Sequence, residues 1–361
     1  MPRAYNDQLR MKGLRAKGNL FTAILVVLSV YISTGGPLPQ LRQVSRPEEL
    51  VSSCGNDELQ RAVKMKSFNL VGPRDLSVQS ISAPDVIKPP FKVGGQSAVE
   101  HIAGWISADS VNYALILERF GTNNSRRVAL DIGANRGFYV YYLAALGFDE
   151  VHAWEIEQQM FHELRHGLIF NEGFVSKVHL HNTGLSNKNI FMVRSGSGGS
   201  GFLAQIHPDA RHFQEAVPAC TLDCWLRIHA VSVQKRLDFV KIDVEGFEIA
   251  VLLGSRDVIM SPNVYIGAVL IEIGPSRWKR AGISFELGTH VITQFARKFK
   301  SASVILRQDE NCPQNALRRS VSSCSERQSA VQCVVEGDQW RGLFENMLTQ
   351  EYDCNFWFTS N

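Results

Sequence analysis

"LDIGANRGFYV", residues 130–140, decides how this chain folds. An apolar run stops at Asp131, two glycines and an asparagine follow, and apolar residues then resume at helical spacing. That is a strand, a tight turn and a helix. Gly133 and Gly137 let the backbone pass close to a ligand, and Asn135 suits a left-handed or side-chain-bonded turn. The spacing is not the G-x-G-x-x-G of dinucleotide sites, and Asp131 would aim a carboxylate at two phosphates. A ligand carrying positive charge suits this turn better.

Outward from the turn, apolar strands alternate with helical patterns: "VHAWEI", "EQQMFHELRHGLIFN", "LDFVKIDV", "FEIAVLLGS", "AVLIEIG", "FELGTHVITQFARKF" and "SASVILR". "CNFWFTS", from Cys354, reads as a last aromatic strand. Strand after helix after strand predicts an α/β fold with a doubly wound, mostly parallel sheet. In such sheets a ligand sits beyond the carboxyl ends of the strands. Glu155, ending "VHAWE", is placed to bridge the ribose hydroxyls of an adenosine. With Asp131 it favours S-adenosylmethionine, whose sulfonium and ammonium an acidic strand end attracts. A nicotinamide cofactor is the weaker alternative.

"KIDVEGFE", residues 241–248, ends another strand on Asp243. Lys241 and Asp243 share one strand face by the period of two, and a lysine in an apolar strand calls for a carboxylate partner. Methyl transfer needs an acceptor lone pair aligned and its proton removed, so Asp243 is a candidate base, with Glu245, Lys241 and Glu272 of "LIEIG" beside it. A purely structural ion-pair network of Lys241, Glu245 and Glu248 is the competing reading.

The stretches "LDIGANRGFYV", "AWEIE", "GLSNKN", "VPACTLDCWL", "LDFVKIDVEGFEIAVLLGS" and "VLIEIGP" resemble the FkbM-type methyltransferases. That resemblance implies a seven-stranded, Rossmann-like class I fold binding S-adenosylmethionine. It places Asp131, Gly133, Ala134, Asn135, Gly137, Glu155, Ile156, Ser186 and Asp243 around the cofactor. Ile156 stands where the family often has proline, and Asn187 where it has an acid.

Residues 1–18 are basic through Arg3, Arg10, Lys12, Arg15 and Lys17, and Leu20–Ile32 carries no charge. A signal anchor or cleaved signal peptide over 19–35 would leave the rest luminal, in Golgi or endoplasmic reticulum, or secreted. Residues 36–96, rich in proline and glycine, read as a stem before a domain over 97–361. A polar, cysteine-containing insertion interrupts that domain at about 309–342. On the oxidising side the seven cysteines can form disulfides with one left over, and Asn123 is a glycan acceptor. The formal charge of +3 leaves no nucleic-acid footprint.

"HELRH", residues 162–166, has the H-E-x-x-H spacing of zinc proteases. It lies on a crossover helix without the downstream third ligand, so metal chemistry is not expected from it or from any other spacing. The functional expectation is an O-methyltransferase acting on a glycan or other hydroxylated acceptor. A non-catalytic glycan- or protein-binding domain that keeps the fold is the alternative.

Overall fold

In a computed structural model the described residues are 78–81, 91–94, 109–121, 126–194, 203–205, 217–229, 236–307, 311–327 and 330–360. The basic tail, the apolar segment, most of the stem, Asn123, Cys54 and the glycine-serine loop 195–202 lie outside them.

The described elements run β1 (Val78–Ile81), β2 (Phe91–Gly94), α1 (Ser110–Phe120), β3 (Val128–Ile132), α2 (Phe138–Ala145), β4 (Glu150–Trp154), α3 (Gln158–Phe170) and β5 (Val178–His181). There follow β6 (Gly184–Leu185), β7 (Ile190–Arg194), β8 (Leu203–Gln205), β9 (Val217–Cys220), α4 (Leu222–Ile228), β10 (Arg236–Ile242), α5 (Glu248–Leu253) and β11 (Tyr265–Ile273). The chain ends with α6 (Phe285–Ala296), β12 (Ser301–Arg307), α7 (Gln314–Leu317), β13 (Ser322–Glu326), β14 (Ala330–Val334), α8 (Gln339–Gln350) and β15 (Cys354–Thr359).

The main sheet has the order β13-β14-β12-β15-β11-β10-β3-β4-β5. From β11 to β5 all neighbours are parallel, and β15 enters antiparallel between β11 and β12. Seven of these strands answer the expected sheet. The other two, β13 and β14, come from the cysteine insertion, which adds an antiparallel hairpin to the edge at β12 rather than looping away. Within the stretch read as stem, β1 and β2 pair antiparallel.

Parallel strands covered on both faces must be apolar throughout, and β3, β10 and β11 are buried along nearly their whole length. Leu130, Ile132, Val240 and Ile242 pack on one side with residues of α4, α5, α6 and α8. Ala129, Phe239, Val151 and Ala153 pack on the other with α1, α2 and α3. Helices on both faces make the sheet doubly wound. The chain winds outward from β3 through β4 to β5, then returns to continue from β10 to β11, so the strand order reverses between β3 and β10. A crevice opens at such a reversal.

Two disulfides bind the insertion: Cys312–Cys354 ties it to β15, and Cys324–Cys333 bridges its hairpin. Cys220 and Cys224 are buried thiols. No helix among the described residues is long and apolar enough to cross a membrane.

Candidate functional site

A cavity of about 650 Å³ opens over the carboxyl ends of β3, β4, β10 and β11. Its floor is the first turn. Gly133 and Ala134 donate backbone N–H bonds to the Trp154 carbonyl at 3.0 and 2.9 Å, fastening the turn to β4. Gly133 has φ of 86°, and a Cβ there would stand 1.8 Å from the Asp243 carbonyl oxygen, so only glycine lets β3 and β10 close here. Asn135 takes the left-handed conformation, φ 51°, and its Oδ1 accepts from the Arg136 N–H at 2.9 Å. Both turn options read from the sequence are thus realised at one residue.

Glu155 is almost fully buried and holds its carboxyl by two backbone bonds, from the N–H of Asn135 and of Glu157, each 2.7 Å. Burial raises its pKa to about 7, against the opposing pull of those N–H groups. Asp131 is completely buried, and neither of its oxygens has a hydrogen-bond donor. Its nearest counter-charge is Lys241 Nζ at 3.5 Å.

Register explains that pair: Asp131 and Lys241 are direct partners across β3 and β10. Lys241 Nζ also lies 3.2 Å from Asp243, donates to the Gly133 carbonyl at 3.2 Å and sits 4.9 Å from the centre of the Tyr139 ring. Burial works against its charge, but Asp243 and Asp131 overcome that and raise its pKa, so the ammonium stays protonated. The lysine therefore pairs with Asp131 and Asp243, and no ion pair joins it to Glu245 or Glu248, contrary to the structural network weighed from the sequence. Glu248 instead accepts from the N–H groups of Val244 and Gly246, at 3.2 and 2.9 Å, and shapes the turn.

Asp243, with its side chain 38% exposed, Glu245 and Glu272 form one wall. Arg277 braces it, 2.5 Å from Glu245 and 3.5 Å from Glu272, and also pairs with Asp353. Glu245 holds a positive φ of 56°. Such backbone in a non-glycine residue is uncommon and clusters at ligand sites. Burial, then Asp243 and Glu245, push the Glu272 carboxyl well above its ordinary range.

Of the residues expected from the sequence, Gly133, Ala134, Asn135, Glu155, Ile156, Lys241, Asp243, Glu245 and Glu272 line the cavity, whereas Asp131 is buried outside the lining, where the register of β3 and β10 pairs it with Lys241. Ser186 does not. It is buried, bonded through its N–H to the Cys220 carbonyl, and its own carbonyl packs against Gly254. Thr183, Gly184 and Leu185 face the cavity in its place. Gly137 is set behind the lining, where its φ of 88° starts α2.

Several lining residues escaped the sequence reading, among them Asp109, Tyr139 and Arg307. Asp109 precedes α1 and meets Arg307 at 3.2 Å and the Tyr139 hydroxyl at 3.1 Å. Arg307 ends β12, which runs in the direction of the parallel strands, so the carboxyl-end rule that found Asp131 also points to Arg307. Asp109 carried no such signal.

In "HELRH", Glu163 is engaged by Arg136 Nε at 2.6 Å, His162 is exposed and His166 half-buried. Two groups of possible metal ligands do exist among the described residues, Asp243 with Glu245 and Glu272, and Glu150 with His152 and His179. The expectation that no such cluster forms looked only at spacing along the chain, and the sheet builds both across strands.

The residues at the first turn fit S-adenosylmethionine. Glu155 lines the cavity at the end of β4, Gly133 keeps the floor open to a ligand, and Asp131, with neither carboxylate oxygen hydrogen-bonded, adds negative charge just behind the lining. A cavity of about 650 Å³ also lies within the usual range for such ligands, about 300–1,000 Å³.

No curated protein matches the sequence. Solved structures similar to it include a SAM-dependent methyltransferase from Agrobacterium tumefaciens, 7% identical with a TM-score of 0.35 over 70% of this chain and 62% of that one. A precorrin-6y C5,15-methyltransferase from Geobacter metallireducens is 10% identical, with a TM-score of 0.28 over 62% of this chain and 85% of that one. A human methyltransferase 10 domain containing protein is 9% identical, with a TM-score of 0.31 over 69% and 80%. The chain thus spans less than two thirds of the Agrobacterium protein. Residues 131–301 match the methyltransferase FkbM domain. That span begins on Asp131 and closes on the first residue of β12, so the part of the chain similar to the methyltransferase FkbM domain takes in the reversal of strand order and the crevice above it.

Proposed function

We propose that the chain is an S-adenosylmethionine-dependent O-methyltransferase acting on a hydroxyl of a glycan or similar polyhydroxylated acceptor. The observation that carries this reading is that Gly133, Glu155 and Asp243, at the carboxyl ends of three neighbouring strands, line one cavity, with Asp131 buried next to it. Bound S-adenosylmethionine would supply an electrophilic methyl group on its sulfonium. Glu155 would hold its ribose end, Asp131 would favour its positive charge from behind the lining, and Asp243 would take the acceptor's hydroxyl proton as the new C–O bond forms and the methyl C–S bond breaks, leaving the thioether S-adenosylhomocysteine. Lys241 keeps Asp243 oriented. Glu272, with its pKa pushed up by burial and by Asp243 and Glu245, is suited to donate a hydrogen bond to the acceptor rather than to act as base. Asp109 and Arg307 add donors and acceptors to the lining, which favours an acceptor with several hydroxyls.

The same proposal sets the domain on the luminal side of a membrane behind the N-terminal apolar segment. The two disulfides support an oxidising compartment. Transfer of labelled methyl to fractionated glycans, read by mass spectrometry, tests the activity. Thermal shift with S-adenosylmethionine against NAD separates it from an oxidoreductase, since a ligand at a hundred times its Kd stabilises by about 2.7 kcal/mol. Stabilisation by the methyl donor with no transfer to any acceptor would favour the binding-domain alternative.

A further inference from the structure

We propose that Glu150, His152 and His179 form a binding site for a divalent transition-metal ion of the zinc class, at the opposite end of the strands from the methyl-donor cavity. Glu150 and His152 are the first and third residues of β4, so the period of two puts them on one face. His179 is the direct partner of His152 across β4 and β5, and β5 is the edge of the sheet. The same face carries Trp154 and His181, while Val151, Ala153 and Val178 belong to the apolar layer on the other side.

One donor atom from each of Glu150, His152 and His179 lies within 4.8 Å of the others. A point equidistant from them is then no more than about 2.8 Å from each, and zinc–nitrogen or zinc–oxygen bonds of about 2.0–2.2 Å need only small inward side-chain movements. His152 Nε2 already faces Glu150 Oε1 at 3.9 Å, and the other oxygen of Glu150 is taken by Arg126 at 3.2 Å. The second nitrogen of His152, Nδ1, is 3.4 Å from His181 Nε2. Ligand histidines are habitually oriented by a partner on the ring nitrogen that does not bind metal, and His181 is that partner here.

The surroundings hold the ring in place. The His152 and His179 rings stack at 4.7 Å between centroids, and His152, His181 and Trp225 pack against one another. His179 is exposed, which leaves an entry path and a fourth position for water.

The test uses the full chain without an affinity tag of histidines, stripped with chelator and titrated with Zn²⁺ by calorimetry. Co²⁺ in its place reports tetrahedral nitrogen coordination by visible absorption. The expected result is one ion per chain. His179→Ala and Glu150→Gln, both at surface-accessible positions, should each weaken it at least tenfold. His181→Phe, a change at the positioning residue, should weaken it by about 10–100-fold while leaving stoichiometry unchanged. Absence of binding, or unchanged affinity in His179→Ala, overturns the proposal. So does a metal lost in His162→Ala/His166→Ala or in Glu245→Gln but retained in His179→Ala, which would place it on α3 or on the acidic wall of the cavity.

Discussion

Binding of S-adenosylmethionine should depend on pH through Glu155. Its carboxyl is buried at the end of β4, and burial raises its pKa to about 7. Ribose hydroxyls donate more strongly to an ionised carboxylate than to a protonated one. With a pKa of about 7, roughly nine-tenths of the group is ionised at pH 8 and roughly one-tenth at pH 6. Affinity should therefore fall about tenfold, about 1.4 kcal/mol, over that interval. The stability of the ligand-free protein moves the other way. A folded pKa raised above the unfolded one contributes stability that is complete below about pH 4.5 and is lost as pH rises through about 7. Glu248, also raised to about 7 by burial, adds a similar term to stability but does not line the cavity. Melting curves alone thus cannot isolate Glu155. The decisive assay is calorimetric titration with S-adenosylmethionine from pH 5.5 to 8.5 in parent and in Glu155→Gln. The parent should show the tenfold fall and the variant a much flatter profile. A flat parental profile, or one unchanged in Glu155→Gln, would refute the assignment of Glu155 to the ribose.

Three further outcomes follow from the site and its supports. Asp243→Asn should reduce turnover per folded, cofactor-bound molecule by about 10²–10⁴ with the melting temperature preserved, and parental turnover would make Glu245 the better candidate base. Lys241→Met should destabilise by about 3–5 kcal/mol, because it leaves the fully buried Asp131 without its counter-charge, and denaturant unfolding showing less than 1 kcal/mol would mean that Asp131 is already neutral. Removing Cys312–Cys354, which closes a separation of 42 residues, should cost about 4 kcal/mol by loop entropy, against about 3 kcal/mol for Cys324–Cys333 with a separation of 9. Comparison of the two paired serine variants by denaturant unfolding measures that order, and cysteines all alkylatable in unreduced native protein would remove the bridges themselves.

What the sequence by itself determined is local or strictly periodic. Asp131, Gly133, Asn135 and Glu155 announce themselves because strand ends and tight turns impose their chemistry on adjacent residues, and the order of elements prescribes a doubly wound sheet. The pairing of Lys241 with a carboxylate was also legible, since an unpaired ammonium in an apolar strand is too costly to keep. Which carboxylates it meets was not, because Asp131 and Lys241 become partners only when β10 registers against β3. Distance along the chain hid the rest for the same reason. Arg307 and Asp109 lie far apart in sequence and are joined at 3.2 Å by the way β12 and α1 flank the crevice. Ser186, placed at the cofactor by resemblance, is turned inward by its bond to Cys220, a contact between two strands of the smaller sheet that no linear pattern encodes. The insertion read as an interruption becomes two more strands of the sheet because β12 would otherwise present an open edge, and edge backbone groups seek partners. The histidines show the division most sharply: His162 and His166 carry a metal motif on one helix and face outward, whereas His152 and His179 share no motif and are brought together only by the parallel register of β4 and β5.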